Sequence, residues 1–116
     1  MKESARLEKD YFQDMEAEIS NLISFTKGIK TFEAFNDDQK TVYACLRSLE
    51  VIGEAAKCIS SETKLKYPQV EWRKIAGTRD VIIHNYAGVN MRVIWETLQI
   101  SIPALKTQID SILKEL

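Results

Sequence analysis

Histidine occurs once in this sequence, at His84, and cysteine only twice, at Cys45 and Cys58. One imidazole and two distant thiols provide no cluster of ligands at the spacings that metal sites use, so no metal and no cofactor is expected. Both cysteines fall in sequence that reads as one helix, where a rise of about 1.5 Å per residue puts them roughly 20 Å apart, too far to bridge. Reduced, buried thiols are the expectation. Glycine (four) and proline (two) are scarce, which leaves few tight turns and argues for long helices over a many-stranded β fold. No apolar run approaches the roughly 18 residues that span a bilayer. The opening stretch MKESARLEKDYF lacks the apolar core of a signal peptide, so the expected location is the cytoplasm, with no membrane association. There is no Gly-rich phosphate loop, no nucleophile elbow around a serine, and no internal repeat. An excess of positive charge is missing too. With a formal net charge of −1, any binding to nucleic acid must rest on a local patch.

What is present is an ordinary globular composition, 45% hydrophobic and 28% charged over 116 residues, enough for a single domain with one core. From about Ser4 to Lys27, apolar residues step by three and four through Leu7, Tyr11, Met15, Ile19, Leu22 and Phe25, with Phe12 and Ile23 widening the stripe, the pattern of an amphipathic helix with Gly28 as its C-cap. Thr31 to Asn36 reads as a loop, and Asn36 with Gln39 as a capping box opening a second helix, about Asp37 to Ser60. That helix has a main stripe at Val42, Cys45, Leu46, Leu49, Ile52, Ala56 and Ile59. A second strip of small or β-branched residues runs through Ala44, Ser48, Val51, Ala55 and Cys58. Such a helix either is central to the bundle or turns its small strip to a second subunit. Arg47, Glu50, Glu54 and Lys57 read as a solvated face with local ion pairs. Ser61 to Val70 reads as a loop, a third helix begins near Glu71 and ends between His84 and Gly88, and Asn90 caps a fourth. The fourth has the cleanest stripe, Met91, Ile94, Trp95, Leu98, Ile102, Leu105, Ile109, Ile112, Leu113 and Leu116, and Pro103 should kink or split it. The predicted fold is all-α, an antiparallel up-down four-helix bundle whose last helix is kinked near Pro103.

The stretch Trp72 to Tyr86, WRKIAGTRDVIIHNY, carries the chemistry. An imidazole has an ordinary pKa of about 6.5, so His84 is the side chain suited to proton transfer near neutrality. Ile75, Arg79, Ile82, Ile83 and Tyr86 share one side of the predicted helix, which sets Arg79 among apolar neighbours. A guanidinium there needs a carboxylate, a phosphate or a solvated groove, and Glu50 or Glu54 is within the choice of partners. Asp80 and His84 are one helical turn apart, so the carboxylate is placed to hold the imidazole in one tautomer. Arg79 and His84 point about 140° apart on an ideal helix. An end to the helix near His84, together with a symmetric dimer offering both residues to one cleft, would reconcile them. From Trp72 to Arg92 the charges are Arg73, Lys74, Arg79 and Arg92 against Asp80 alone, a locally basic segment that suits a phosphodiester. On RNA, His84 would take a proton from a 2′-hydroxyl or give one to the leaving oxygen, while Arg79 stabilises charge on the phosphoryl oxygens.

Arg79-x4-His84-x-Tyr86 resembles the Arg-x4–6-His signature of HEPN ribonucleases, and more narrowly the form found in HepT toxins. RSLEVIGEAAK from Arg47 to Lys57 and WRKIAGTRD from Trp72 to Asp80 look like the second and third helices of that family, and the likeness extends over nearly the whole chain. The resemblance implies an all-α homodimer that cleaves RNA without metal, as the toxin of a type VII toxin–antitoxin pair. Arg79 and His84 would be catalytic in a cleft at the dimer interface, Asp80 would support them, and Arg73, Lys74 and Arg92 would bind RNA. The antitoxin implied is an MntA-like minimal nucleotidyltransferase that transfers AMP from ATP onto Tyr86. A different reading of the same residues is a non-catalytic helical subunit that docks a nucleotidyltransferase and presents its substrate.

Overall fold

The computed structural model describes residues 7–116, and every regular element in that span is helical. The elements are α1 (Glu8–Phe25), α2 (Phe32–Asp37), α3 (Gln39–Lys57), α4 (Ser61–Lys66), α5 (Trp72–His84), α6 (Met91–Glu96) and α7 (Ile102–Glu115). A 3-10 turn, Tyr86–Gly88, follows α5, and a π turn, Thr97–Ser101, joins α6 to α7. The all-α expectation holds.

The core is assembled largely from the predicted stripes, although Leu7, Phe25 and Leu116, expected on them at the ends of their helices, are exposed. Phe12, Met15, Ile19 and Leu22 come from α1, and Ile102, Leu105, Ile109 and Ile112 from α7. All seven residues of the main α3 stripe, from Val42 to Ile59, are buried. Each large aliphatic or aromatic side chain so buried contributes about 1.5–3 kcal/mol, so these periodic positions account for most of the drive to fold. α3 packs against α1 and against α5, and α1 packs in turn against α7. Of the two roles open to α3, the structure gives it the central one: Ser48 and Ala55 of its small strip are buried within one chain.

Several boundaries differ from the sequence reading, each for a local reason. The expected helix start near Ser4 lies outside the described residues. Within them α1 begins at Glu8, where the Asp10 carboxylate accepts from the Leu7 N–H at 3.1 Å. Its cap is Thr26 rather than Gly28; Gly28, at φ +84°, makes the left-handed reversal two residues later. The stretch expected as a loop at Thr31 to Asn36 is helical, because the Thr31 hydroxyl accepts from the Ala34 N–H at 3.1 Å and caps α2. Asp38, not Asn36, caps α3 by accepting from the Thr41 N–H at 3.1 Å. The polar stretch after Ile59 likewise contains α4, capped by Ser60. Cys58 is exposed, contrary to expectation; it is the C-cap of α3, and the next residue, Ile59, is the one that turns into the core.

Asn90 caps α6 as expected, accepting from the Arg92 and Val93 N–H groups at 2.9 and 3.3 Å. A π turn lies just before Pro103, which stands in the first turn of α7. Proline has no N–H and its ring crowds the carbonyl four residues back, here Gln99; a wider turn accommodates both.

A further set of bonds fixes the start of α1 and the segment leading into α5. The Glu8 carboxylate accepts from the Ser60 N–H at 2.6 Å and from the Thr63 hydroxyl, and these bonds hold its carboxyl below the ordinary value. The Trp72 indole N–H donates to the Tyr67 carbonyl at 3.0 Å, and the Tyr67 hydroxyl donates to Glu115 at 2.9 Å.

Candidate active site on α5

α5 is placed by one close approach. A Cβ added at Gly53 of α3 would lie 2.2 Å from the Arg79 Cβ, so the two backbones meet only because that position lacks a side chain. Ile75 and Ile82 pack on the same side and carry α5 onto the core. Ile83 and Tyr86, predicted to share this side, are instead exposed. The contact with α3 is narrower than the apolar stripe, and Tyr86 lies beyond the helix end, after Asn85 at φ −147°.

Arg79 runs across α3 with its side chain 20% exposed. Nη1 donates to Asp80 Oδ1 at 3.1 Å, Nη2 lies 3.5 Å from Glu54 Oε2, and the buried Nε has no hydrogen-bond partner among the described residues. Glu54, one of the two glutamates anticipated, is therefore the partner. Lys57 Nζ donates to the same Asp80 oxygen at 2.6 Å, which gives a chain of charges, Glu54, Arg79, Asp80 and Lys57, along the junction of α3 and α5. The bond from Lys57, and then that from Arg79, holds the Asp80 carboxyl below the ordinary carboxylate range.

This geometry corrects the expected Asp80–His84 pair. The Asp80 carboxylate is bonded to Lys57 and Arg79, not to the imidazole. One-turn spacing permits such a pair but does not enforce it, and a long lysine from the neighbouring helix reaches Asp80 first. His84 is the last residue of α5 and is exposed. The helix does end where predicted, with Arg79 turned onto Glu54 and Asp80 rather than hydrogen-bonded to His84.

Tyr86 is 52% exposed and its ring lies 6.4 Å from that of Tyr43 on α3. Interaction with the Tyr43 hydroxyl raises the Tyr86 phenol above its ordinary value. Tyr43 was missed by the sequence reading, and only the pairing of α3 with α5 reveals it. The basic segment is divided. Arg73 is exposed and Lys74 is 4.0 Å from Glu71, whereas Arg92 lies over the Phe32 ring at 4.1 Å, with Glu33 at 3.9 Å, and so is drawn onto α2. Among the described residues no group of three His, Cys, Asp or Glu side chains is arranged to hold a metal ion.

The family model for HepT-like ribonucleases matches residues 15–112. The chain belongs to the HepT-like ribonuclease family. A protein of Thermococcus cleftensis named "Probable ribonuclease HepT" is 42% identical over 94% of this chain and 98% of its own length. Two proteins named "Putative RNase" are close as well. That of Caldanaerobacter subterraneus is 44% identical over 92% of this chain and 95% of its own, and one of Methanocaldococcus jannaschii is 38% identical over 93% and 92%. No solved structure matches the chain. Membership in this HepT-like family bears out the expectation of an RNA-cleaving nuclease. Among the described residues no helix is long and apolar enough to cross a membrane.

Proposed function

We propose that this HepT-like chain is a metal-independent endoribonuclease and the toxin of a toxin–antitoxin pair, acting as a homodimer. His84 moves the proton: it takes one from the 2′-hydroxyl as that oxygen attacks phosphorus, or gives one to the oxygen that leaves. Arg79 stabilises the negative charge that builds on the phosphoryl oxygens. A two-fold cleft would offer two copies of each residue to one strand, which answers the separation of Arg79 from His84 within a single chain. The observation that carries the reading is the pairing, on one helix, of an exposed sole imidazole with a guanidinium whose buried Nε has no hydrogen-bond partner among the described residues.

The test is cleavage of a labelled single-stranded RNA by freshly purified, unmodified protein. His84→Ala should lower the rate by about a hundredfold or more, the scale of lost general acid–base catalysis. Arg79→Lys, which keeps the charge but not the fork, should lower it too. Unchanged cleavage in His84→Ala, with an intact fold by circular dichroism, overturns the proposal.

For regulation, the exposed Tyr86 is the proposed acceptor of AMP from an MntA-like nucleotidyltransferase. The Tyr86 oxygen attacks the α-phosphorus of ATP, the bond to pyrophosphate breaks, and the phenolic proton passes to a base. The phosphate so attached sets negative charge beside the basic segment and repels RNA. Intact mass after co-expression with the transferase should show AMP increments that Tyr86→Phe abolishes.

A second reading is favoured by one observation: Arg79 is already paired with both Glu54 and Asp80. A guanidinium so committed suits a binding subunit that docks the transferase without cutting RNA. Stable complex formation together with no cleavage by unmodified protein would select it.

A further inference from the structure

Between α4 and the first turn of α5 lies a groove of about 580 Å³. Leu65, Pro68 and Trp72 give it apolar lining, Lys64 and Arg73 line it with positive charge, and among the described residues no carboxylate does. The indole is fixed in advance, by its bond to the Tyr67 carbonyl and by an edge contact with Phe12 at 6.2 Å between ring centroids. Lys64 Nζ lies over the Trp72 ring, 5.9 Å from its centroid, a cation that an incoming base would displace toward the phosphates, and Arg73 forms no ion pair among the described residues.

From this groove α5 runs straight to the imidazole. At about 100° and 1.5 Å per residue, Arg73, Gly77 and His84 lie within about 40° of one line, and Arg73 is about 16 Å from His84 along the axis. Gly77 is exposed, and a Cβ there would meet nothing within 4 Å. A glycine in mid-helix is unfavourable relative to alanine, and no neighbour among the described residues requires one at this position. It leaves bare backbone midway between the groove and His84, where a ligand can come close.

We infer that this line is a track for single-stranded RNA. One nucleotide is anchored in the groove, its base against the indole-lined floor and its phosphates between Lys64 and Arg73; the sugar–phosphate backbone crosses at Gly77 and reaches His84. Two cations without a carboxylate suit a phosphodiester, and an apolar aromatic floor suits the face of any base. The inference rests on the RNA-cleavage reading above and adds to it an anchoring site remote from the bond that breaks. Substrates too short to span both ends are therefore poor ones.

The test compares a dinucleotide with a hexanucleotide of the same composition as substrates of the full chain. The hexanucleotide should be cleaved with the lower KM. In Lys64→Ala/Arg73→Ala that KM should rise about tenfold, on the scale of a lost base or phosphate contact, while Lys106→Ala on α7 leaves it unchanged. Gly77→Ala should raise the melting temperature and the hexanucleotide KM together, a pairing that a merely structural glycine would not give. Equal cleavage of both lengths, or an unchanged KM in the double variant, overturns the track. So does a double variant that keeps its RNA affinity but loses self-association, which would make the groove a protein interface. If unmodified wild-type protein cleaves neither oligonucleotide, the catalytic reading fails on its own. Fluorescence anisotropy of the hexanucleotide on His84→Ala protein then decides the groove. Binding about tenfold weaker on adding the double substitution sustains it, and equal binding removes it.

Discussion

On the side of α5 that faces α3, a Cβ at Gly53 would come within 2.2 Å of the Arg79 Cβ, whereas a Cβ at Gly77, turned away from α3, would meet nothing within 4 Å. Both glycines sit inside helices, where each costs about 1 kcal/mol relative to alanine. At Gly53 that cost is offset within the chain, because the close approach lets Ile75, Arg79 and Ile82 settle onto α3. At Gly77 no contact among the described residues offsets it. One side of α5 is therefore built for stability, and the other keeps a feature that stability alone would not select.

Four measurements would sharpen or break this contrast. Ile82 is the buried residue of α5, so Ile82→Ala should lower unfolding free energy in urea by about 2–4 kcal/mol. Val81→Ala, at a position 47% exposed, should change it by less than about 0.5 kcal/mol. Equal losses would mean that the two sides are not distinct. Gly53→Ala comes next: overpacking against Arg79 should cost about 1–3 kcal/mol and lower the melting temperature. Gly77→Ala should stabilise by about 1 kcal/mol, and a loss instead would show that Gly77 is needed by the fold. The smallest effect concerns Asp80. Its carboxyl is held low by Lys57 and Arg79, so the contribution is in place above the ordinary carboxyl pKa of about 4 and fades as pH falls through the lowered value. Asp80→Asn should thus melt below wild type at neutral pH, and the two curves should converge in acid.

How far the sequence could be read follows from the same physics. The stripes of α1, α3 and α7 were legible because burial imposes a three-and-four spacing over many turns, and a long run averages out exceptions. α2 and α4 were not, since six-residue helices are too short to show a period; their caps, Thr31 and Ser60, were the available signal. In the site, residue types were more legible than pairings. Glu54 was one of two partners foreseen for Arg79, while Asp80 was assigned to His84 by spacing on its own helix. The chain resolves that competition across helices, through Lys57, and sequence spacing carries no information about a neighbour's reach. Tyr43 beside Tyr86, and the groove at Trp72, were hidden for the same reason.

The Glu8 carboxylate bears on the order in which the molecule assembles. It joins the first turn of α1 to Ser60 and Thr63, positions 52 and 55 residues away. Closing so long a loop costs more chain entropy than forming the nearby helical turns, so this bond is expected to form late, after the rate-limiting barrier. Removing it, as in Glu8→Gln, would leave the speed of refolding nearly unchanged and hasten unfolding, so this clasp governs how long a folded molecule lasts more than how quickly it arises.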